Sequence, residues 1–381
     1  PNMAFLLKVS LALFGVPLVG FMLIYTYFGV VATVYIATLL TLFVFSLVWY
    51  GSNSKLSEET LAEDLKSLRS AYGDVLDKEL KKDYGARNVQ EYYTLTTDRD
   101  YKLLELFVGP GLHSRMEAPY PIGHTGGNTR QPAFILAEAR AINAHRVLEI
   151  GCGRGHCSLF LAGAASDITF QGVDLTARHV QVACEGASRG GLKNVEFFMA
   201  DARKLGMKEA PSALRDNGTI DLIFGVEALC HIDTEEGAAA FIKAASRLLR
   251  NGGRIVFLDG FRSSSFDSCS ENQRTAMKLS ECGYRIRAMP SKKLWTKLGK
   301  ANGFAVVRDV DFTHEVIPFW ELGWKVARVF LLFPWLVRKV LHSSPKRRET
   351  AANLLSVATT AHAMRQRGSA EYGMLVLEKR W

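Results

Sequence analysis

Residues 147–157 read VLEIGCGRGHC: an apolar run containing one acid, then glycines at 151, 153 and 155. Glycine loses more conformational freedom on folding than any other residue. Three so close together are expected where main-chain atoms approach a ligand or turn through a left-handed conformation. The apolar run predicts a buried strand over 146–150, and the residues beyond the glycines predict a helix over 158–165. A strand that turns through glycines into a helix points helix N-terminal amides at a ligand. The spacing is not G-x-G-x-x-G and no Lys-Ser/Thr pair follows, so a pyrophosphate cradle is not indicated. Glu149, two residues ahead of the first glycine, suits a cationic or hydroxylated ligand better.

Working outward, the chain alternates strand and helix, the pattern of a mostly parallel sheet covered by helices. Strands are expected at 168–174, 195–199, 220–226, 254–259, 304–311 and 372–379, with helices at 131–141, 177–188, 237–250 and 292–302. Asn251, Gly252 and Gly253 are expected to stop the helix that ends at 250. Two further strands end on acids, Asp174 in QGVDL and Asp201 in FMADA. A carboxylate at the carboxyl edge of such a sheet can accept both ribose hydroxyls, as Asp174 would. Asp201 on the next strand could meet an adenine amino group. Three acids around a glycine loop make an adenosine-shaped site, although each acid alone would pass for a solvated loop carboxylate.

This set resembles the class I S-adenosylmethionine-dependent methyltransferases. The matching residues are VLEIGCGRG (147–155), GVDL (172–175), MADA (199–202) and DLIFGVEALCHI (221–232), and YGMLVLEK (372–379) is similar to the family's reversed last strand. The resemblance implies S-adenosyl-L-methionine as cofactor, S-adenosyl-L-homocysteine as product, and no metal. It implies that the glycine loop passes under the methionyl part, Asp174 takes the ribose, and Asp201 with Ala202 flanks the adenine. The candidate cofactor set is thus Glu149, Gly151, Cys152, Gly153, Gly155, Asp174, Leu175, Asp201, Ala202 and Glu227.

GVEALCHI is similar to a stretch of the sterol C24-methyltransferases, with Glu227, Cys230 and His231 matching. EYYTLTTD (91–98) resembles a segment upstream of their glycine loop. Cyclopropane-fatty-acid synthases and the sphingolipid C9-methyltransferases have comparable layouts. The YKLLELFVG and GLHSR segments (101–109, 111–115) depart from the sterol pattern, so the resemblance defines the cofactor side better than the acceptor side. The candidate catalytic set is Glu227, to stabilise positive charge, and His231, to serve as base. Tyr92, Tyr93 and Asp98 are placed on the acceptor side. For His231 a structural role at a helix start is the favoured alternative, and for the tyrosines core packing weighs at least as much as substrate contact.

The flanks say where such an enzyme would work. From position 9 through 54 no residue is charged. A membrane span needs about 20 residues, so two fit, near 9–28 and 30–50, reversing at Gly29. A signal peptide has a shorter apolar core, and a very apolar soluble helix pair is the other alternative. A hairpin returns the chain to the side of Lys8, expected to be the cytoplasmic, matrix or stromal face of an endoplasmic-reticulum or organellar membrane. Residues 57–82 are expected to be a solvated connecting helix opened by a Ser57–Thr60 capping box. Between the last two strands, 312–367 alternates large apolar side chains with Lys325, Arg328, Arg338, Lys339, Lys346, Arg347 and Arg348. That composition predicts a helix in a lipid headgroup layer, kinked at Pro334, or else a lid packed on the core.

The net charge of +9 and pI near 9.2 suit an anionic partner, read here as lipid and not nucleic acid, because the cations are interleaved with large aliphatics. Six scattered cysteines without metal-ligand spacing are read as free thiols. The expected organisation is a membrane hairpin (1–54), a helical linker and substrate-side cap (55–128), a Rossmann-like cofactor core (129–262), and a C-terminal part (263–381) carrying the insert 312–367 and the last strand. The fold class is α/β, a seven-stranded Rossmann-like methyltransferase sheet with helices on both faces plus the hairpin. The expected function is methyl transfer to a hydrophobic acceptor: a sterol, quinone, or acyl or sphingoid lipid. The alternative is an accessory subunit of a membrane complex with reduced or no catalysis.

Overall fold

A computed structural model describes Ser46 and residues 54–81, 86–96, 116, 129–208, 210–342, 345–365 and 368–381. Both expected membrane spans, Ser46 excepted, and Asp98 lie outside the described residues. Among the described residues no helix is long and apolar enough to cross a membrane.

The centre is one seven-stranded sheet in the order β3-β2-β1-β4-β5-β7-β6. Its strands are β1 (Arg146–Ile150), β2 (Thr169–Asp174), β3 (Val195–Met199), β4 (Ile220–Val226), β5 (Leu249–Arg262), β6 (Phe304–Asp311) and β7 (Ala370–Lys379). The first five run parallel, and β7 inserts antiparallel between β5 and β6, as the family resemblance implies. Every residue of β4 is buried, which fits a central strand covered on both faces. One face packs Val147, Phe170, Leu222, Phe224 and Val256 under helices; the other packs Leu148, Ile223, Ile255, Phe257 and Leu375.

The helices of the cofactor half are α4 (Arg130–Ala141), α5 (His156–Ala164), α6 (Ala177–Arg189) and α7 (Glu235–Leu248). They are preceded by α1 (Glu58–Tyr72), α2 (Asp74–Lys81) and α3 (Ala86–Thr96). Those after β5 are α8 (Glu271–Gly283), α9 (Lys292–Ala301), α10 (Thr313–Leu331), α11 (Pro334–Leu341) and α12 (Pro345–Met364).

Three expectations need correction. Asn251, Gly252 and Gly253 do not stop α7, which ends at Leu248. They lie within β5, where Gly252 takes φ +75 and the pairing with β4 shifts register. The linker helix α1 has its capping box, with the Ser57 and Thr60 side chains each bonded to the other's main-chain amide, but it is not simply solvated. Leu61, Leu65 and Leu68 are buried against α8, α10, α11 and α12. The insert, likewise, is three helices with one face packed on α1 and α8, a cap more than a free surface helix. Pro334 opens α11 after a break at Phe333, where its fixed φ and missing N–H cost nothing.

A buried polar knot ties this cap to α1. The Asp64 carboxylate accepts from Trp324 Nε1 (2.6 Å) and Arg328 Nε (3.0 Å), and lies 3.0 Å from His362 Nε2. All four side chains are nearly inaccessible to solvent.

Candidate active site

The carboxyl ends of β1, β2, β4 and β5 open into a crevice of about 310 Å3. The three loop glycines prove to do three different things. Gly151 has φ +64, and a Cβ there would stand 2.5 Å from that of Ala228, so it lets the loop after β4 close on the loop after β1. Gly155, φ +82, makes room for Ala183 and the Phe197 ring and does not line the crevice. Only at Gly153, φ +52, would a Cβ meet nothing within 4 Å. There the bare main chain faces open space.

Asp174 sits beside it. One carboxylate oxygen accepts from the Gly153 amide (3.0 Å), and the other from the Thr176 amide (2.8 Å) and from His179 Nδ1 (3.3 Å). Burial works to raise its pKa, but the bond to and charge of His179, with the two amides, hold it below the ordinary value. It stays ionised, with lone pairs left for a diol. Cys152 and Leu175 also line the crevice; the Leu175 carbonyl accepts from Gln90 Nε2 of α3 (2.9 Å), which ties that helix over the site.

Asp201 and Ala202 line the same wall, but the Asp201 carboxylate is gripped at both oxygens by Arg203 (Nε 2.9 Å, Nη2 2.7 Å). Glu149 is placed elsewhere. Its carboxylate turns under the loop to accept from the Ser158 amide (3.2 Å) and hydroxyl (2.5 Å), clamping β1 to α5, and it is absent from the crevice wall. Burial pushes its pKa up to about 8, the hydrogen bonds from Ser158 notwithstanding.

Glu227 follows β4 with φ +50, a conformation non-glycine residues rarely hold. It faces the crevice with Tyr372, whose hydroxyl bonds to it and accepts from Gln131 Nε2 (3.0 Å). What fixes this loop is Asp259, within β5 three residues before its end. One of its oxygens accepts from the amides of Ala228 (3.0 Å), Leu229 (2.9 Å) and Cys230 (3.2 Å); the other accepts from Gly260 (2.8 Å). Burial and then the Glu227 charge push Asp259 up to about 7. Sequence reasoning passed it over, although the strand expected over 254–259 ends on this acid in FLDGF, as another ends on Asp174 in QGVDL.

His231 lies on the short 3-10 turn Leu229–His231. Its Nε2 is 3.0 Å from the Tyr93 hydroxyl, and its buried Nδ1 has no hydrogen-bond partner among the described residues. Burial takes its pKa down to about 4, against an opposing pull from Asp174, so the ring is neutral at pH 7. The Tyr93 ring meets His179 and His231 edge-on, at 5.3 and 5.7 Å between centroids. The Tyr92 hydroxyl donates to Asn353 Oδ1 of α12 (2.6 Å). The tyrosines therefore both line the crevice and pin α3 to the cap. Tyr284, Met277, Ile286, Met289, Trp320 and Met364 complete an apolar wall that no motif or periodicity places here. All six cysteines are free thiols.

A parallel sheet with a bare-backbone turn and a ribose-ready carboxylate on adjoining strand ends defines a nucleoside-binding α/β protein. The comparisons carry this one step further. The family described as a methyltransferase domain matches residues 143–303. The S-adenosyl-L-methionine-dependent Diels-Alderase iccD of Talaromyces variabilis is 27% identical over 205 residues, 51% of this chain and 64% of its own. The O-methyltransferase rstn1 of Aspergillus nomiae is 25% identical over 174 residues, 45% of this chain and 69% of its own. The fold of the [4+2]-cyclase SpnF matches with a TM-score of 0.56 at 17% identity, covering 78% of this chain and 97% of that one. The chain thus spans about two thirds of the length of these two curated relatives. Residues 143–303 therefore carry a methyltransferase domain of the kind that uses S-adenosyl-L-methionine.

The crevice fits that cofactor on its own terms. Gly153 offers main chain without a side chain, Asp174 offers an ionised carboxylate, and Glu227 adds an acid to the lining suited to a sulfonium.

Proposed function

We propose that the protein moves a methyl group from S-adenosyl-L-methionine to a hydrophobic, lipid-like acceptor such as a sterol, quinone, or acyl or sphingoid lipid. We also propose that its N-terminal apolar block anchors it to the cytoplasmic, matrix or stromal side of a membrane. The observation that carries this reading is the mixed lining of the crevice: Gly153 and Asp174 on one hand, the packed apolar cluster of Met277, Ile286, Met289, Trp320 and Met364 on the other, with Glu227 and His231 in the same lining.

When bound, the cofactor supplies an electrophilic methyl carbon on a positively charged sulfur. The chain supplies the rest. Asp174 holds the sugar, and the Glu227 carboxylate lies where positive charge must be tolerated. The apolar wall excludes water and orients the acceptor behind the methyl. As the new bond to carbon forms, the acceptor sheds a proton, and neutral His231, held by Tyr93, can take it. With an alkene acceptor the same pair removes the proton from the cation left after methylation.

The test is incubation of the purified full chain with radiolabelled methyl donor and a lipid extract. Label in the organic phase, lost in a Glu227→Gln variant that still binds cofactor, supports the reading. Label confined to water-soluble products overturns the lipid acceptor. A second reading is favoured by the 27%-identical Diels-Alderase: the apolar cluster would fold a substrate for cyclisation without consuming the methyl donor. Altered but unlabelled product would select it.

A further inference from the structure

The outer face of the cap is apolar where nothing among the described residues covers it. On α10, Val326 and Phe330 lie one turn apart and are 45% and 50% exposed. At the α10–α11 corner follow Leu332, Trp335 and Leu336, with Trp335 65% exposed. The opposite face of the same helices is fully engaged, with Ala327, Leu331, Val337 and Leu341 packed on α1 and its neighbours. The corner is therefore a firmly backed surface and not a frayed end. Monomeric soluble domains rarely display such a contiguous apolar cluster without a partner.

Two independent observations say what the partner is. From 322 through 348 the chain has no acid, while Lys325, Arg328, Arg338, Lys339, Lys346, Arg347 and Arg348 all fall within it. Arg338 and Lys339 are exposed on α11, directly beyond Trp335 and Leu336. Aromatic and aliphatic side chains rimmed by cations suit the boundary between anionic headgroups and acyl chains. Second, Ser54, the last residue of the uncharged block, bonds to the helix that carries this corner. Arg328 Nη1 donates to Ser54 Oγ (3.0 Å), two residues before Phe330 on α10. The last residue of the uncharged block and the exposed apolar corner thus share one helix, α10, Ser54 on its inward side.

We propose that the α10–α11 corner is a membrane-docking surface: Phe330, Leu332, Trp335 and Leu336 dip into a bilayer carrying anionic headgroups, and Arg338 and Lys339 pair with those headgroups. This rests on the reading of the N-terminal block as an anchor only for the side from which the chain arrives. Docked so, α10 connects the bilayer to the crevice, because Trp320 on the same helix belongs to the apolar cluster lining the site.

A spin label at position 335 tests this in the full chain, using Trp335→Cys on a Cys184→Ser background, since Cys184 is the exposed native thiol. A label at Met207, exposed on a loop after β3, is the control. In protein-free vesicles containing phosphatidylserine, oxygen should reach label 335 readily and a water-soluble nickel complex poorly, with an oxygen-to-nickel ratio several-fold above the control. A ratio equal to the control overturns the proposal. So does shielding from both reagents, which would mean that a protein segment or a second copy covers the corner. Retention on vesicles after alkaline carbonate washing reports the anchor separately. Retention with label 335 in water leaves the anchor standing and removes the docking surface. Loss on washing with label 335 still shielded from nickel before the wash removes the anchor and supports the surface.

Discussion

At the scale of single residues, the loop glycines separate jobs that look identical in the sequence. Gly151→Ala forces a Cβ to within 2.5 Å of Ala228 at φ +64 and should lower stability by about 1–3 kcal/mol, read as a fall in melting temperature. Gly153→Ala meets no atom, so its stability loss should be smaller, about 1 kcal/mol from the left-handed φ, while cofactor affinity falls because the cradle is filled. Reversal of that order in melting and calorimetric data would contradict the assignment. His231 makes a pH prediction. Its folded pKa, about 4, lies below its ordinary 6.5, so as pH falls the unfolded chain takes up the proton first. The stability it contributes is full above pH 6.5 and is lost as pH drops toward 4. His231→Asn should flatten that part of the curve relative to the native protein; Asp259 and Glu149, whose pKa values are raised, shift both curves alike. An identical pH dependence in both proteins would show that the ring is not buried neutral.

At the scale of elements, the decisive part is the turn after β4. Three amides converge on a single carboxylate oxygen of Asp259, and that convergence holds Glu227 at its left-handed φ and His231 over the crevice. Asp259→Asn offers those donors a weaker acceptor or an opposing donor, and should cost about 1–3 kcal/mol in stability. Because Glu227 and His231 move with the turn, kcat should fall more than KM for the cofactor rises. A change in KM alone would limit Asp259 to cofactor binding. Much of this half was legible beforehand. The strands around VLEIGCGRGHC alternate with amphipathic helices, and β1, β3, β4 and β6 start and end where periodicity places them. Glu149 was not legible as a clamp, because an acid inside a strand looks the same whether it turns up to a ligand or down to Ser158. The apolar wall was invisible for a different reason. Met277, Ile286, Trp320 and Met364 are far apart in the chain, and only the packing of the cap on α8 gathers them.

At the scale of the whole molecule, the Asp64 knot joins the segment leaving the N-terminal block to the helices that roof the crevice. Asp64→Ala would take from the buried Arg328 guanidinium its one buried carboxylate partner among the described residues, leaving the exposed Glu63, at a cost of about 3–5 kcal/mol for breaking a buried pair. The cap should loosen first, so limited proteolysis should cut within 313–364 while the sheet core resists. Simultaneous unfolding of core and cap would contradict a separately anchored roof. This coupling gives the architecture a direction: Ser54, the exposed α10–α11 corner and Trp320 of the crevice wall all lie on or against α10 and α11.

The account stands or falls on whether Asp174 and the bare loop beside it hold an adenosyl cofactor. Isothermal titration of the native protein and of Asp174→Ala with S-adenosyl-L-methionine decides it. One-to-one binding by the native protein, weakened tenfold or more in the variant, roughly 1.4 kcal/mol or beyond, is the predicted result. A folded native protein that releases no heat with the ligand, or a variant that binds as tightly as the native chain, would contradict it.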